Sequence, residues 1–112
     1  MKSPGGIRAA MKSEVEVLIY SILSAIPKGY VTSYGQLASY ARLPRGARLI
    51  GRVLSHLPDD TTLPWHRVLR ANGQIAFPPE SPAYRRQKQM LEMEGIPVAQ
   101  GKVDLSVFGW HD

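Results

Sequence analysis

The chain has 112 residues and carries 14 Lys/Arg against 9 Asp/Glu, a formal net charge of +5, with a hydrophobic fraction of 44 %. That is room for one compact domain with a modest core, in the composition range of an ordinary globular protein. There is no cysteine, which excludes disulfides, thiolate metal sites and any thiol nucleophile.

No apolar run approaches the roughly 18 residues that would span a bilayer. The segment Met1–Met11 is too poor in apolar residues for a signal peptide. A cytoplasmic protein without a membrane partner is the expectation. The charge is unevenly spread. Residues 1–56 hold eight Lys/Arg and two Glu, whereas residues 57–112 hold six Lys/Arg and seven acids, so the halves carry +6 and −1. A basic half is what a nucleic-acid contact face supplies, because neutralising phosphates releases counterions. A generally basic, solvated surface gives the same arithmetic.

In chain order, residues 1–12, with Ser3-Pro4-Gly5-Gly6, read as a loose, flexible tail. Ser13-Glu14-Val15-Glu16 is a capping box, and Val15, Leu18, Ile19, Ile22, Leu23 and Ile26 then recur at helical spacing until Pro27 and Gly29. Tyr30-Val31-Thr32 is a short extended piece. Ser33-Tyr34-Gly35-Gln36 is a second capping box, opening a short helix with Leu37, Ala38 and Ala41 inward. Leu43-Pro44-Arg45-Gly46 turns into a third helix, roughly residues 46–57. Two short helices joined by such a turn form a helix-turn-helix.

Pro64–Leu69 and Gln74–Phe77 flank Ala71-Asn72-Gly73, and the Asn-Gly pair predicts a β-hairpin, a candidate wing. Ser81-Pro82 opens a last helix, Ala83–Glu94, closed by Gly95 and Pro97. The expected fold class is therefore mainly α with a small β wing, a winged helix-turn-helix. It occupies residues 13–97, and residues 98–112 form a C-terminal tail packed on it.

On the third helix and its approach, Arg45, Arg48 and Arg52 stand at i, i+3 and i+7, with Leu49, Val53, Leu54 and Leu57 on the other side. Ala47 and Gly51 beside the arginines permit close approach to a backbone or groove floor. Arg42 adds a fourth charge, and no acid falls between Glu16 and Asp59. A solvated basic face would look similar, but an arginine-only stripe on the second helix of a helix-turn-helix favours DNA. His56, His66 and His111 have no ligand spacing with one another, so no metal or other cofactor is implied.

Three blocks carry a resemblance. They are Ile26-Pro27-Lys28-Gly29-Tyr30-Val31-Thr32-Ser33-Tyr34-Gly35-Gln36-Leu37-Ala38, then Ala47-Arg48-Leu49-Ile50-Gly51, then Pro64-Trp65-His66-Arg67-Val68 with Glu94-Gly95. Together they resemble the DNA-binding domain of O6-alkylguanine-DNA alkyltransferases, over about residues 14–96. Those enzymes read Pro-Cys-His-Arg-Val, with the cysteine accepting the alkyl group, and this chain has Trp65 there. The replacement resembles the alkyltransferase-like proteins, which bind alkylated guanine in DNA without repairing it. The chemistry agrees. Dealkylation needs a soft, ionisable nucleophile, and an indole offers none.

The resemblance implies a site residue by residue. Tyr34 matches the tyrosine that crowds the 3′ phosphate of the target nucleotide and helps rotate it out. Arg48 matches the arginine that fills the vacated stack, offsetting part of the few kcal/mol that base extrusion costs. Trp65, His66, Arg67 and Glu94, with Tyr34, are expected around the lesion pocket. Without a thiol to activate, His66 and Glu94 become a packed hydrogen-bond pair, and Arg67 a structural tie. Arg42, Arg45, Arg52, Ser33 and Gln36 are assigned to the DNA backbone. The implied partners are duplex DNA containing O6-alkylguanine and nucleotide-excision repair proteins, with the chain a monomer associated with the nucleoid.

There are departures from the pattern. Ile75-Ala76-Phe77-Pro78-Pro79-Glu80-Ser81-Pro82 keeps nothing of the enzymes' Gly/Tyr-rich lid. Pro78 stands where some alkyltransferase-like proteins have an arginine, and Leu57 where the enzymes have an asparagine. Two other functions compete with a non-enzymatic lesion sensor. One is a winged-helix transcription regulator, which leaves the P-W-H-R-V box unexplained. The other is an alkyl-transfer enzyme with an unusual acceptor, against which the missing cysteine argues.

Overall fold

The computed structural model describes Pro4 to His111. Its elements are α1 (Pro4–Ala25), β1 (Thr32–Ser33), α2 (Tyr34–Tyr40), α3 (Ala47–Ser55), a 3-10 turn at Trp65–Arg67, β2 (Val68–Leu69), α4 (Pro82–Met93) and α5 (Leu105–Phe108). The helix α1 starts at Pro4, ahead of the Ser13 capping box, so the helix is longer than the sequence signal marks. Its apolar stripe behaves as the spacing requires: Ile19 and Leu23 are fully buried, and Ile26 follows just beyond the helix end.

Side-chain caps set the helix boundaries. Ser33 Oγ accepts from the Gln36 amide at 3.1 Å to start α2. Ser81 Oγ accepts from the Tyr84 amide at 3.2 Å to start α4, with Pro82 in the first turn. The end of α4 is a Schellman motif. Ile96 N–H donates to Leu91 O and Gly95 N–H to Glu92 O, both at 3.0 Å, with Gly95 at φ +81°. The end of α2 repeats that motif without glycine. Leu43 N–H donates to Ala38 O at 2.9 Å, and Arg42 takes the left-handed position at φ 57°. Arg45, in the same connection, has φ 58°. Gly46 closes the turn because a Cβ there would lie 2.7 Å from Leu43 O.

The predicted wing is corrected. The structure's two-stranded sheet is parallel, β1 with β2, in the register Thr32↔Val68 and Ser33↔Leu69. The Asn72-Gly73 reversal does form, with Gly73 at φ +89° and an Arg70 N–H to Gln74 O bond of 2.9 Å. Beyond it the chain pairs elsewhere. Ile75 N–H donates to Gly101 O, Val103 N–H donates to Gly73 O, and Gln74 bridges to Lys102. A short turn signal specifies the reversal, but the sheet partner is decided by which backbone edge is free nearby. Here the segment 99–103 and the extended piece before α2 supply those edges.

Two core clusters result. One joins α1, α2 and α3 through Ile19, Leu23, Ile26, Leu37, Ala38, Ile50 and Val53. The other gathers Val31, Leu69, Ile75, Leu91, Ile96 and Val103. The C-terminal segment lies along β1. Val31 N–H donates to Phe108 O and Trp110 N–H to Val31 O, at 2.9 and 2.7 Å, while the Trp110 indole packs on Tyr40 with ring centroids 5.1 Å apart. The helix α5 inside that segment has no counterpart in the sequence reading, which ended the helices at Glu94.

Candidate nucleic-acid interface

The helix pair α2–α3 with its arginine-bearing turn presents four cations to solvent. Arg42 and Arg45 sit in the turn, Arg48 and Arg52 on α3, and all four are exposed. Ile50 and Val53 of α3 point into the core, so the helix is amphipathic with its basic side outward. Ser33 and Gln36 form the N-terminal cap of α2. Tyr34 opens that helix half-buried. Burial raises its phenol above the ordinary value, with Arg70 pulling the other way, so the hydroxyl stays protonated and able to donate.

The 3-10 turn at Trp65–Arg67 places its three side chains in two environments. His66 and Arg67 turn inward onto Glu94, at the C-cap of α4. The Glu94 carboxylate receives His66 Nε2 at 2.6 Å, Arg67 Nε at 3.0 and 3.1 Å, one terminal Arg67 nitrogen at 2.8 Å and the Gly29 amide at 3.0 Å. The other terminal Arg67 nitrogen donates to Ile26 O at 2.8 Å. One carboxylate thus ties the end of α1, the 3-10 turn and the end of α4. Gly29 takes φ +89°, a backbone conformation that favours glycine. Gln87 adds a second tie, its buried side-chain amide donating to His66 O and Val68 O at 3.0 Å each.

The electrostatics follow from this packing. Burial by itself would raise the Glu94 carboxyl, but the Arg67, Gly29 and His66 hydrogen bonds outweigh it and hold its pKa down at about 2. Burial pushes the His66 imidazole below its ordinary value, against the opposing pull of Glu94. At neutral pH the ring is uncharged. A carboxylate only accepts, so Nε2 carries the proton and Nδ1 is the acceptor. That Nδ1 is buried without a hydrogen-bond partner among the described residues.

Trp65 faces the other way, into a cleft of about 370 Å³ walled by Leu54, Leu57, Phe77, Pro82, Ala83 and Arg86, among others. Phe77 meets the indole edge-on with centroids 6.2 Å apart, and the Arg86 guanidinium lies 5.7 Å from the indole centroid. Leu54 is six residues beyond Arg48, about 9 Å further along α3, so the cleft opens at the C-terminal end of that helix, where Arg52 lies in the last turn.

The sequence-predicted pocket set therefore divides. Trp65 lines the cleft, whereas His66, Arg67 and Glu94 form the buried clamp behind it, and Tyr34 stands at the start of α2. Leu54, Phe77 and Arg86 are cleft residues that the sequence reading did not assign. Leu54 and Phe77 look like ordinary core residues in sequence. For Arg86 no local signal exists, because its approach to Trp65 depends on how α4 packs over the 3-10 turn.

The matching family model is the DNA-binding domain of 6-O-methylguanine DNA methyltransferase, over residues 14–96. The chain belongs to this family. Among its relatives it is similar to the DNA base-flipping protein of Escherichia coli, 45 % identical over 94 residues that cover 83 % of this chain and 71 % of the relative. It is also similar to alkyltransferase-like protein 1 of Schizosaccharomyces pombe, 36 % identical over 82 % of this chain and 90 % of that one. A crystal structure of S. pombe Atl1 in complex with damaged DNA containing O6-carboxymethylguanine superimposes with a TM-score of 0.83, 34 % identity, and coverage of 89 % and 97 %. The Mycobacterium tuberculosis OGT–DNA complex gives 0.62 at 30 % identity, covering 70 % of this chain and 48 % of that one.

Proposed function

We propose that this chain is a non-enzymatic DNA damage sensor that binds O6-alkylguanine in duplex DNA and signals its presence to nucleotide-excision repair. The protein approaches the minor groove as a monomer, with the exposed arginines of the α2–α3 unit on the backbone. Tyr34 assists rotation of the target nucleotide, Arg48 occupies the gap left in the stack, and the extruded base enters the cleft beside Trp65.

The observation that carries this reading is Trp65 itself. In a chain without cysteine, an indole rather than a nucleophile faces an apolar cleft large enough for a substituted purine. An indole has nothing to accept an alkyl group with, and a π face on which a base can stack. The clamp behind it fits the same account. The neutral His66 is bound to Glu94, which Arg67 also holds, rather than to a group that it activates. Relatives named as base-flipping and alkyltransferase-like proteins, and a relative solved on damaged DNA, support it further.

The test is a binding titration on matched duplexes carrying guanine, O6-methylguanine or a bulkier O6 adduct, followed by mass spectrometry of the protein. Tighter binding to both adducts with an unchanged protein mass is expected. Equal binding to all three duplexes overturns the sensor reading, and a gain of one alkyl group overturns the non-enzymatic one.

A further inference from the structure

The cleft beside Trp65 is apolar on most sides, and its one cationic wall is Arg86. This residue projects from α4, and one terminal nitrogen donates to the backbone carbonyl of Asp59 at 2.9 Å. Its guanidinium lies over the Trp65 ring, 5.7 Å from the centroid. Among the described residues no carboxylate lies within ion-pair distance of it, although Asp59 lines the same cleft. A guanidinium has five N–H donors, and Asp59 O accounts for one. The side chain is therefore held at the cleft by a backbone anchor and an aromatic face, with charge and donors to spare.

We infer that Arg86 is a specificity-determining residue of the cleft, selecting O6 substituents that end in an anionic or strongly accepting group over neutral alkyl groups of the same shape. The inference rests on the proposed lesion-binding function and deepens it by naming the adduct chemistry. Its basis is that hydrogen bonds to charged groups are the stronger kind, and that a bidentate fork matches a carboxylate. The apolar walls formed by Leu54, Leu57 and Phe77 serve any alkyl chain equally. The charged residues of the lining are Arg86 and Asp59, and of the two only Arg86 attracts an anionic substituent.

The experiment compares duplexes with O6-carboxymethylguanine and O6-isobutylguanine, two substituents of the same branching and similar size, one anionic and one neutral. The readout is the ratio of the two Kd values within each variant, so any change in general phosphate attraction cancels. The unmodified chain should prefer the carboxymethyl duplex by about tenfold, the scale of one charge-assisted hydrogen bond. Arg86→Gln should bring the ratio to one or below, and Arg86→Lys should retain part of it. Arg85→Gln removes the same charge one residue away, where Arg85 donates to Glu80 O, and should leave the ratio as it was. A ratio near one in the unmodified chain overturns the inference. So does an Arg86→Gln ratio equal to the starting one, which makes Arg86 a phosphate contact. If the unmodified chain fails to distinguish O6-methylguanine from guanine, the lesion-binding reading itself falls, and this inference with it.

Discussion

Replacing Glu94 by Gln tests whether one carboxylate organises the wall on which Trp65 stands. The substitution keeps the shape but trades one of two acceptor oxygens for a donor. Five hydrogen-bond contacts converge on those oxygens, from Gly29, His66 and Arg67. The Glu94 side chain is 9 % exposed and that of Arg67 15 %, so the pair is largely shielded from solvent. Removing one partner of such a pair costs about 3–5 kcal/mol, because the remaining charge stays buried. Arg67 keeps its bond to Ile26 O, which places the loss near 3 kcal/mol, or more than about 10 °C in Tm for a domain of this size.

The pH dependence gives an independent handle on the same contact. The Glu94 carboxyl titrates near 4.5 when free and at about 2 in the fold. A depressed folded pKa means stability that is present above pH 4.5 and lost as pH falls toward 2, worth at most about 3 kcal/mol. The His66 pKa is also depressed by burial, so its share is lost in the same direction, starting as pH drops below about 6.5. Urea unfolding from pH 7 to pH 2.5 should show both losses in the unmodified protein and a smaller loss below pH 4.5 in Glu94→Gln, where Asp104 keeps a lowered carboxyl but the Glu94 share is gone. A variant within 1 kcal/mol of the starting protein, with the same acid slope, refutes the clamp.

Arg48→Ala should weaken lesion binding by about tenfold or more, the scale of one stacking platform, and reduce the signal of a fluorescent base analogue at the target. Lys102→Ala should do neither, and equal effects would reduce Arg48 to a generic charge. Affinity should fall steeply with salt, with a log–log slope of about −3 if Arg42, Arg45 and Arg52 each neutralise one phosphate; a flat salt titration removes that assignment. Arg42→Gly relieves the left-handed backbone at φ 57° and should raise stability by about 0.5–1 kcal/mol while weakening DNA binding, seen by thermal melting and fluorescence anisotropy. Trp65→Cys widens the cleft and supplies a thiol, yet no rapid methyl gain is expected by mass spectrometry, because a working acceptor also needs near-attack geometry. A quick, complete shift of one methyl group shows instead that the cleft is still arranged for transfer.

Much of the molecule is written locally in the chain. Capping serines at 33 and 81, the apolar spacing of Ile19, Leu23 and Ile26, and the Asn72-Gly73 reversal act within a few residues. They are therefore legible without tertiary information. The basic outer side of α3 and the missing nucleophile at Trp65 are legible for the same reason, one as a periodicity and the other as a residue type.

Other features depend on which distant segments meet. Strand pairing needs a free backbone edge, so Val68–Leu69 joined Thr32–Ser33 in parallel instead of the near return strand, and Gly73–Ile75 was paired by residues 101–103. The Glu94 clamp joins positions 29, 66, 67 and 94, and its depressed carboxyl arises only when burial and those donors coincide. Arg86 over Trp65 is of the same kind: two residues 21 positions apart, 86 − 65, brought together by the seating of α4 across the 3-10 turn. Backbone caps and periodicities are short-range and survive in sequence; contacts between elements depend on the free energy of the whole packed arrangement, and only the folded chain decides them.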